Sequence, residues 1–378
     1  MDFELSDEQR LLQDSVTRLL SDRYAFEQRK TYLKDPTGFS PALWSQYAEL
    51  GLLGLPFAEE YGGFGGGPQE VMLVMQAFGR ALILEPYLPT VVLAGTALKL
   101  AGNDAQKGAI FPAIAEGTLK LSFAHGERQA RYDLNDVVTT AKRSNGGWVL
   151  DGAKSVVSHG EAADKLVVSA RTSGERYDEG GITLFLVDAK ASGVAMRGYA
   201  SRDESRAADI AFSNVPVGDA DVLGEVGGGF GIVQRVVEAG IAATAAEAVG
   251  AMEVMHSMTL EYSKTREQFG KPIGSYQVVQ HRLADMFMTM EQGRSMAMLA
   301  TVALDNPDAV ARAHDMALVK VGIGQAARYV AQSAIQMHGG IGMTEEYAVG
   351  HYFRRCMVIE RLWGDPAYYL QKLAEEVE

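Results

Sequence analysis

Between Leu119 and Val222 the chain never keeps a helical period for ten residues together. Its apolar segments there are short and bounded by turn residues. They include Trp148–Leu150 after Asn145-Gly-Gly, Leu166–Ala170, Ile182–Val187 and Asp209–Phe212. Parallel strands need a crossover of a dozen or more residues between them, usually a helix. No such pattern separates these segments, which predicts an antiparallel sheet or barrel and counts against a nicotinamide-type Rossmann layout. On both sides of this region the period is helical. Ser6 with Gln9 makes a capping-box start, followed by Leu12, Val16, Leu19 and Leu20 at helical spacing. Ser40-Pro41 opens a second helix that stops near Gly51, and further patterns run over 68–84, 90–101 and 104–116. Past Gly227-Gly-Gly-Phe-Gly231 four longer patterns follow, over 231–265, 275–305, 308–338 and 345–361, with Asn306-Pro307 and Gly339-Gly340 as breaks. Short connections between long helices predict an antiparallel four-helix bundle. The expected fold class is α+β: an N-terminal α-helical domain over 1–117, a middle β-sheet domain over 118–223 and a C-terminal helical bundle over 224–378.

Bulk properties narrow the function. With 47% apolar and 22% charged residues in 378, the chain has the balance of an ordered globular protein. A net charge of −13 argues against a nucleic-acid partner. The one cysteine, Cys356, excludes an intrachain disulfide and a cysteine-based metal site. No window approaches ~18 uncharged apolar residues, and the N-terminal run is acidic where a secretory signal is basic and then apolar. The expectation is a cytoplasmic protein without a membrane segment or a metal.

Autonomous catalytic devices are missing from the sequence. No serine has glycines at both −2 and +2, no His-Glu-x-x-His occurs, and the seven histidines are scattered. Chemistry here needs a borrowed cofactor. Two stretches have the character of a nucleotide clamp. Tyr262–Gln280 ends one helical pattern and starts the next, and it gathers Lys264, Arg266, Lys271 and Phe269 on an acidic chain. Arginine grips phosphate bidentately, and a ring offers a base something to lie against. Gln336-Met-His-Gly-Gly-Ile-Gly342 places glycines at a helix end, where backbone can approach a ligand closely. Taken alone, the first reads more readily as a solvated loop and the second as a helix C-cap.

Together they carry a resemblance. Arg266-x-Gln-Phe-Gly-Lys-Pro-Ile-x-x-Tyr-Gln-x-x-Gln280, Gln336-x-x-Gly-Gly-x-Gly342 and Met1-Asp-Phe-x-Leu-x-x-Glu-Gln9 resemble the acyl-CoA dehydrogenase family over essentially the whole chain. The resemblance implies FAD, an acyl-CoA substrate, an electron-transfer flavoprotein or similar acceptor, and a homo- or heterotetramer. It implies that Arg266, Gln268, Phe269, Ile273, Tyr276, Gln336, Gly339 and Gly340 hold the pyrophosphate and adenosine half of FAD, in the family the FAD of a neighbouring subunit.

The flavin-facing half departs from the family pattern. The family's Thr-Glu-Pro-x-x-Gly-Ser-Asp corresponds to Gly126–Asp133, so the threonine is Gly126 and the serine is Tyr132. The family's Trp-x-Thr/Ser corresponds to Val156-Val-Ser158, where only the Ser158 hydroxyl persists. Two lost hydroxyl donors and a lost indole should weaken the chain's own flavin cup by about a few kcal/mol. The usual catalytic carboxylate falls on Trp363 and the alternative position on Gly240; Asp365 and Glu238 each lie two residues away. Asp365 is the candidate base, with a capping role before Pro366 as the competing reading. Intact donation to a neighbour's FAD beside an eroded own site matches the weaker chain of an α2β2 enzyme. In overall character it resembles the small subunits of pimeloyl-CoA dehydrogenases, which implies a dicarboxylyl-CoA substrate. The alternative is a catalytically degenerate scaffold or regulatory subunit of such a heterotetramer.

Overall fold

The structure is a computed structural model that describes residues 5–144 and 146–376. Its helices are α1 (Asp7–Arg23), α2 (Phe26–Tyr32), α3 (Pro41–Glu49), α4 (Pro68–Ala81), α5 (Gly95–Ala101) and α6 (Asp104–Ala115). After the strands come α7 (Phe230–Thr265), α8 (Gln277–Ala303), α9 (Ala309–His338), α10 (Val349–Arg361) and α11 (Pro366–Glu375). The main strands are β1 (Leu121–Ala124), β2 (Thr140–Ser144), β3 (Gly147–Ser158), β4 (Lys165–Arg171), β5 (Ile182–Asp188), β6 (Val194–Ala200), β7 (Arg206–Gly218) and β8 (Val222–Leu223). Contacts divide the chain into two compact units: Met1–Thr31 with Pro68–Ile83 and Ile241–Glu378, and Tyr32–Gly67 with Leu84–Gly240. Among the described residues no helix is long and apolar enough to cross a membrane.

The sheet belongs to the second unit. Its strands run β6-β7-β3-β2-β4-β5-β8, with β1 paired to β4. Most neighbours are antiparallel, as the turn-rich sequence predicts, but β1 joins β4 in parallel, Leu121 opposite Lys165. The chain between Ala124 and Lys165, which holds the β2–β3 hairpin, supplies the crossover that the sequence reading looked for only as a helix. Of the expected Asn145-Gly-Gly turn, Asn145 lies outside the described residues, while Gly146 takes φ +84°. Leu150, Leu166, Val168, Phe185, Ile210 and Val215 form the centre of the core. β4 and β5 are buried at nearly every position, so their side chains read as apolar runs and not as alternation. The segment before α5 is tied to the sheet edge where the Thr90 hydroxyl donates to the Leu121 carbonyl at 2.9 Å.

The first unit is a helical bundle. The capping box at Ser6 and Gln9 forms as its sequence predicts. α4 and α7 cross with their backbones in contact, which two glycines permit. A Cβ on Gly79 would stand 2.0 Å from the Glu247 carbonyl oxygen, and one on Gly250 would stand 2.0 Å from that of Gln76. Beside this crossing Glu253 accepts hydrogen bonds from Gln76 Nε2 at 2.7 Å and Arg80 Nε at 2.5 Å, and pairs with Arg294 at 2.7 Å. α11 was not anticipated; it starts at Pro366, with Asp365 as its N-cap. Residues 345–348 precede α10 instead of forming its first turn.

The crossing predicts opposite outcomes for two glycine-to-alanine changes. Gly250→Ala should lower stability by about 1–3 kcal/mol, because neither helix can yield at a backbone contact. Gly108→Ala in α6, where an added Cβ meets open space, should raise it by roughly 0.5–1 kcal/mol. Thermal unfolding of both variants checks the pair.

Candidate cofactor site

The stretch after α7 is built to expose two side chains. Arg266 N–H closes the last turn on the Tyr262 carbonyl at 2.9 Å, and the Arg266 carbonyl accepts from Ile273 N–H at 2.8 Å. Between them lies a two-residue hairpin in which Glu267–Gln268 pairs with Lys271–Pro272. Its turn residues, Phe269 and Gly270, take φ +56° and +81°. Both central residues of this hairpin turn have positive φ, which glycine accepts and a bulky side chain resists. Phe269 nevertheless holds it, and its side chain is 93% exposed. The hairpin is braced from behind: the Tyr276 hydroxyl donates to the Gln268 carbonyl at 3.1 Å, and Lys271 Nζ lies 4.3 Å from the Tyr276 ring centroid. The Gln268 amide is occupied by the neighbouring Glu267 carbonyl at 2.9 Å. Among the described residues the Arg266 guanidinium has neither an ion-pair nor a hydrogen-bond partner.

The second stretch ends α9. Gln336, Gly339 and Gly340 are exposed. Gly339 has φ +64°, and a Cβ at either glycine would meet nothing within 4 Å. One stack joins the two stretches. The His338 ring lies 4.5 Å from that of Tyr262, nearly parallel, and 5.1 Å from that of Tyr347. His338 is 3% exposed and bonds the Ala334 carbonyl through Nδ1 at 2.8 Å. Burial holds its pKa below the usual imidazole value. An unpaired guanidinium, an uncovered ring and two open glycines on one connected framework suit a planar ligand that carries phosphate.

Ser158 belongs to the other unit, at the end of β3. Its carbonyl accepts from the Ser122 hydroxyl at 2.9 Å. Val156, two residues before it, sits at a bulge with φ +56° and 65% exposure. A β-branched residue in this conformation is an outlier that marks a constrained position. Gly126 is also exposed, and a Cβ there would meet only the Ser155 carbonyl oxygen, at 3.3 Å.

Asp365 has a structural occupation. Its Oδ1 accepts from Tyr368 N–H at 3.0 Å, capping α11. Trp363, at φ +56°, gives its carbonyl to the Tyr369 hydroxyl at 2.8 Å. This loop is anchored by a residue that the sequence reading missed. Lys320, 4% exposed on α9, donates to the carbonyls of Ile359, Glu360 and Leu362 at 3.1, 3.2 and 2.7 Å. Burial pulls its pKa down to about 8, while Glu360 and Asp365 act to raise it. Its signal was a lysine amid Met316, Val319, Ile323 and Gly324, on the buried side of a helix.

Comparison with known proteins decides the family. Models of the acyl-CoA dehydrogenase N-terminal, middle and C-terminal domains match residues 6–118, 122–215 and 227–377. A probable acyl-CoA dehydrogenase, YngJ of Bacillus subtilis, is 30% identical over 366 residues, 95% of each chain. The chain belongs to the acyl-CoA dehydrogenase family. Its fold is that of butyryl-CoA dehydrogenase from Megasphaera elsdenii, with a TM-score of 0.90, 27% identity and 100% of both chains covered. The ChsE4–ChsE5 complex from Mycobacterium tuberculosis gives a TM-score of 0.88 at 26% identity, covering 100% of this chain and 99% of that one. Acyl-CoA dehydrogenases are FAD-dependent oxidoreductases, and the open Arg266–Phe269 hairpin and the Gly339–Gly340 turn fit that cofactor.

Removing the free guanidinium should cost FAD binding the equivalent of a charge-assisted hydrogen bond. Arg266→Ala is expected to weaken FAD retention by roughly 1.5–3 kcal/mol without a change in unfolding temperature. Flavin stoichiometry after gel filtration, equal to wild type, would remove Arg266 from the site.

Proposed function

We propose that this chain is one subunit of a two-component acyl-CoA dehydrogenase. It contributes Arg266, Gln268, Phe269, Ile273, Tyr276, Gln336, Gly339 and Gly340 to the adenosine and pyrophosphate half of FAD, and a partner chain carries the proton-abstracting carboxylate. The observation that carries this reading is the loop after α10. Desaturation of an acyl thioester takes a proton from Cα and needs a carboxylate to accept it. FAD, when bound, takes the hydride that leaves Cβ. Position 363, where the resemblance puts the base, holds a tryptophan, whose indole N–H only donates. Asp365, the nearest carboxylate in sequence on that loop, is engaged in capping α11.

The donated half is intact by contrast, with Arg266 unpaired and Phe269 uncovered. The similar ChsE4–ChsE5 complex, of two different chains, supports a heteromeric assembly of this fold. An acyl-CoA thioester is the substrate class. A dicarboxylyl-CoA such as pimeloyl-CoA is the finer proposal, tested by assaying short, long and dicarboxylyl thioesters side by side. The outgoing electrons pass to an electron-transfer flavoprotein or similar acceptor.

The base assignment has a clean test, since asparagine caps helices as well as aspartate does. Asp365→Asn should leave both stability and turnover of the assembled enzyme unchanged. Asp365→Ala should lose about 1 kcal/mol of stability, again with turnover retained. A fall of about 10²-fold or more in turnover for Asp365→Asn, the usual effect of removing a general base, would make Asp365 the base and end the two-component reading.

A further inference from the structure

Beneath the exposed Gly126 peptide lies a buried polar network. Lys154 on β3 is 0% exposed, and its ammonium makes three contacts: Glu127 Oε1 at 2.6 Å, Ser169 Oγ at 3.0 Å and the His125 carbonyl at 3.1 Å. Glu127 spends its remaining capacity on the loop that follows it. It accepts from Val138 N–H at 2.9 Å, Thr139 N–H at 3.1 Å and Gln129 Nε2 at 2.8 Å. Ser169 Oγ also lies 2.9 Å from His125 Nδ1, and the His125 ring bonds the backbone of Leu134.

The direction of each bond follows from the charges. An ammonium only donates, so Ser169 Oγ accepts from Lys154, which leaves its own proton free to go to His125 Nδ1. The imidazole is neutral, because burial first and Lys154 second push its pKa down to about 3. With the Ser169 hydroxyl donating to Nδ1, the ring proton sits on Nε2. Burial raises the pKa of Glu127, but Lys154 and the hydrogen bonds outweigh it and hold the carboxyl at about 2. Every member is satisfied, the condition under which a buried network rigidifies its surroundings.

The two side chains flanking Gly126 are thus locked at 8% and 5% exposure, while Gly126 between them is exposed, its carbonyl accepting from Ser155 N–H at 2.8 Å. We propose that His125, Ser169 and Lys154 are positioning residues that hold the Gly126 turn in the geometry a flavin ring requires, where residue 126 itself has no side-chain hydroxyl. This rests on the reading of the chain as an FAD-binding subunit and deepens it: the flavin cup has lost side-chain donors but kept a rigid frame.

The test compares Ser169→Ala, which breaks the relay, with Ser169→Thr, which keeps the hydroxyl, in the assembled protein. Deuterium uptake over 126–139 and the affinity and visible absorption band of bound flavin are read together. Ser169→Ala should raise uptake over that segment, weaken flavin about tenfold, the size of one lost hydrogen bond, and alter the band; Ser169→Thr should restore all three. Unchanged flavin affinity and band in Ser169→Ala, with or without faster exchange, overturns the positioning role alone. A wild-type assembly with flavin only at the partner's site also overturns the positioning role and leaves the FAD-subunit reading standing, whereas an assembly with no flavin at all overturns both.

Discussion

Lys154 and Glu127 form an ion pair with both side chains withdrawn from water. Such a pair must be complete. Removing one partner leaves an uncompensated buried charge, at a cost of roughly 3–5 kcal/mol. Completeness is reached only because four segments close around it: the turn at 125–127, the loop at 138–139, β3 with Lys154 and β4 with Ser169. The requirement to satisfy one ammonium therefore ties two strands that are not neighbours in the sheet to the loop beside them.

A comparable logic governs the helical unit. Gly79 and Gly250 allow two helices to touch backbone to backbone, and Glu253 gathers Gln76, Arg80 and Arg294 beside the crossing. At the far end of α7 the Tyr262–His338–Tyr347 stack holds the Arg266 hairpin and the Gly339 turn to a common base. The hairpin itself spends conformational energy: Phe269 in a left-handed conformation is unfavourable, as is a ring left in water. Both costs make sense where a ligand covers the ring.

Much of the fold was legible in the residues. The capping box at Ser6–Gln9 and the Pro41 start formed as read, because caps are local hydrogen bonds. The long helices follow from period alone. What escaped were features whose cause lies far away in sequence. The parallel pairing of β1 with β4 depends on a crossover made of strands, and Lys320 on carbonyls roughly forty residues further on. The motif residues Arg266, Phe269, Gly339 and Gly340 could be named from pattern, but nothing in the pattern said that Arg266 would stand unpaired.

The sequence by itself determined the order of helical and strand regions, the need for a borrowed cofactor and the family, since these rest on period, composition and contiguous motifs. Only the tertiary structure decided the office of each polar group. Whether Asp365 is free to take a proton or tied as a cap depends on where Tyr368 N–H points. Whether His125 and Ser169 are surface residues or links in a relay depends on which strands meet. Hydrogen bonds are short and directional, and these become determinate only when the chain has brought their partners together.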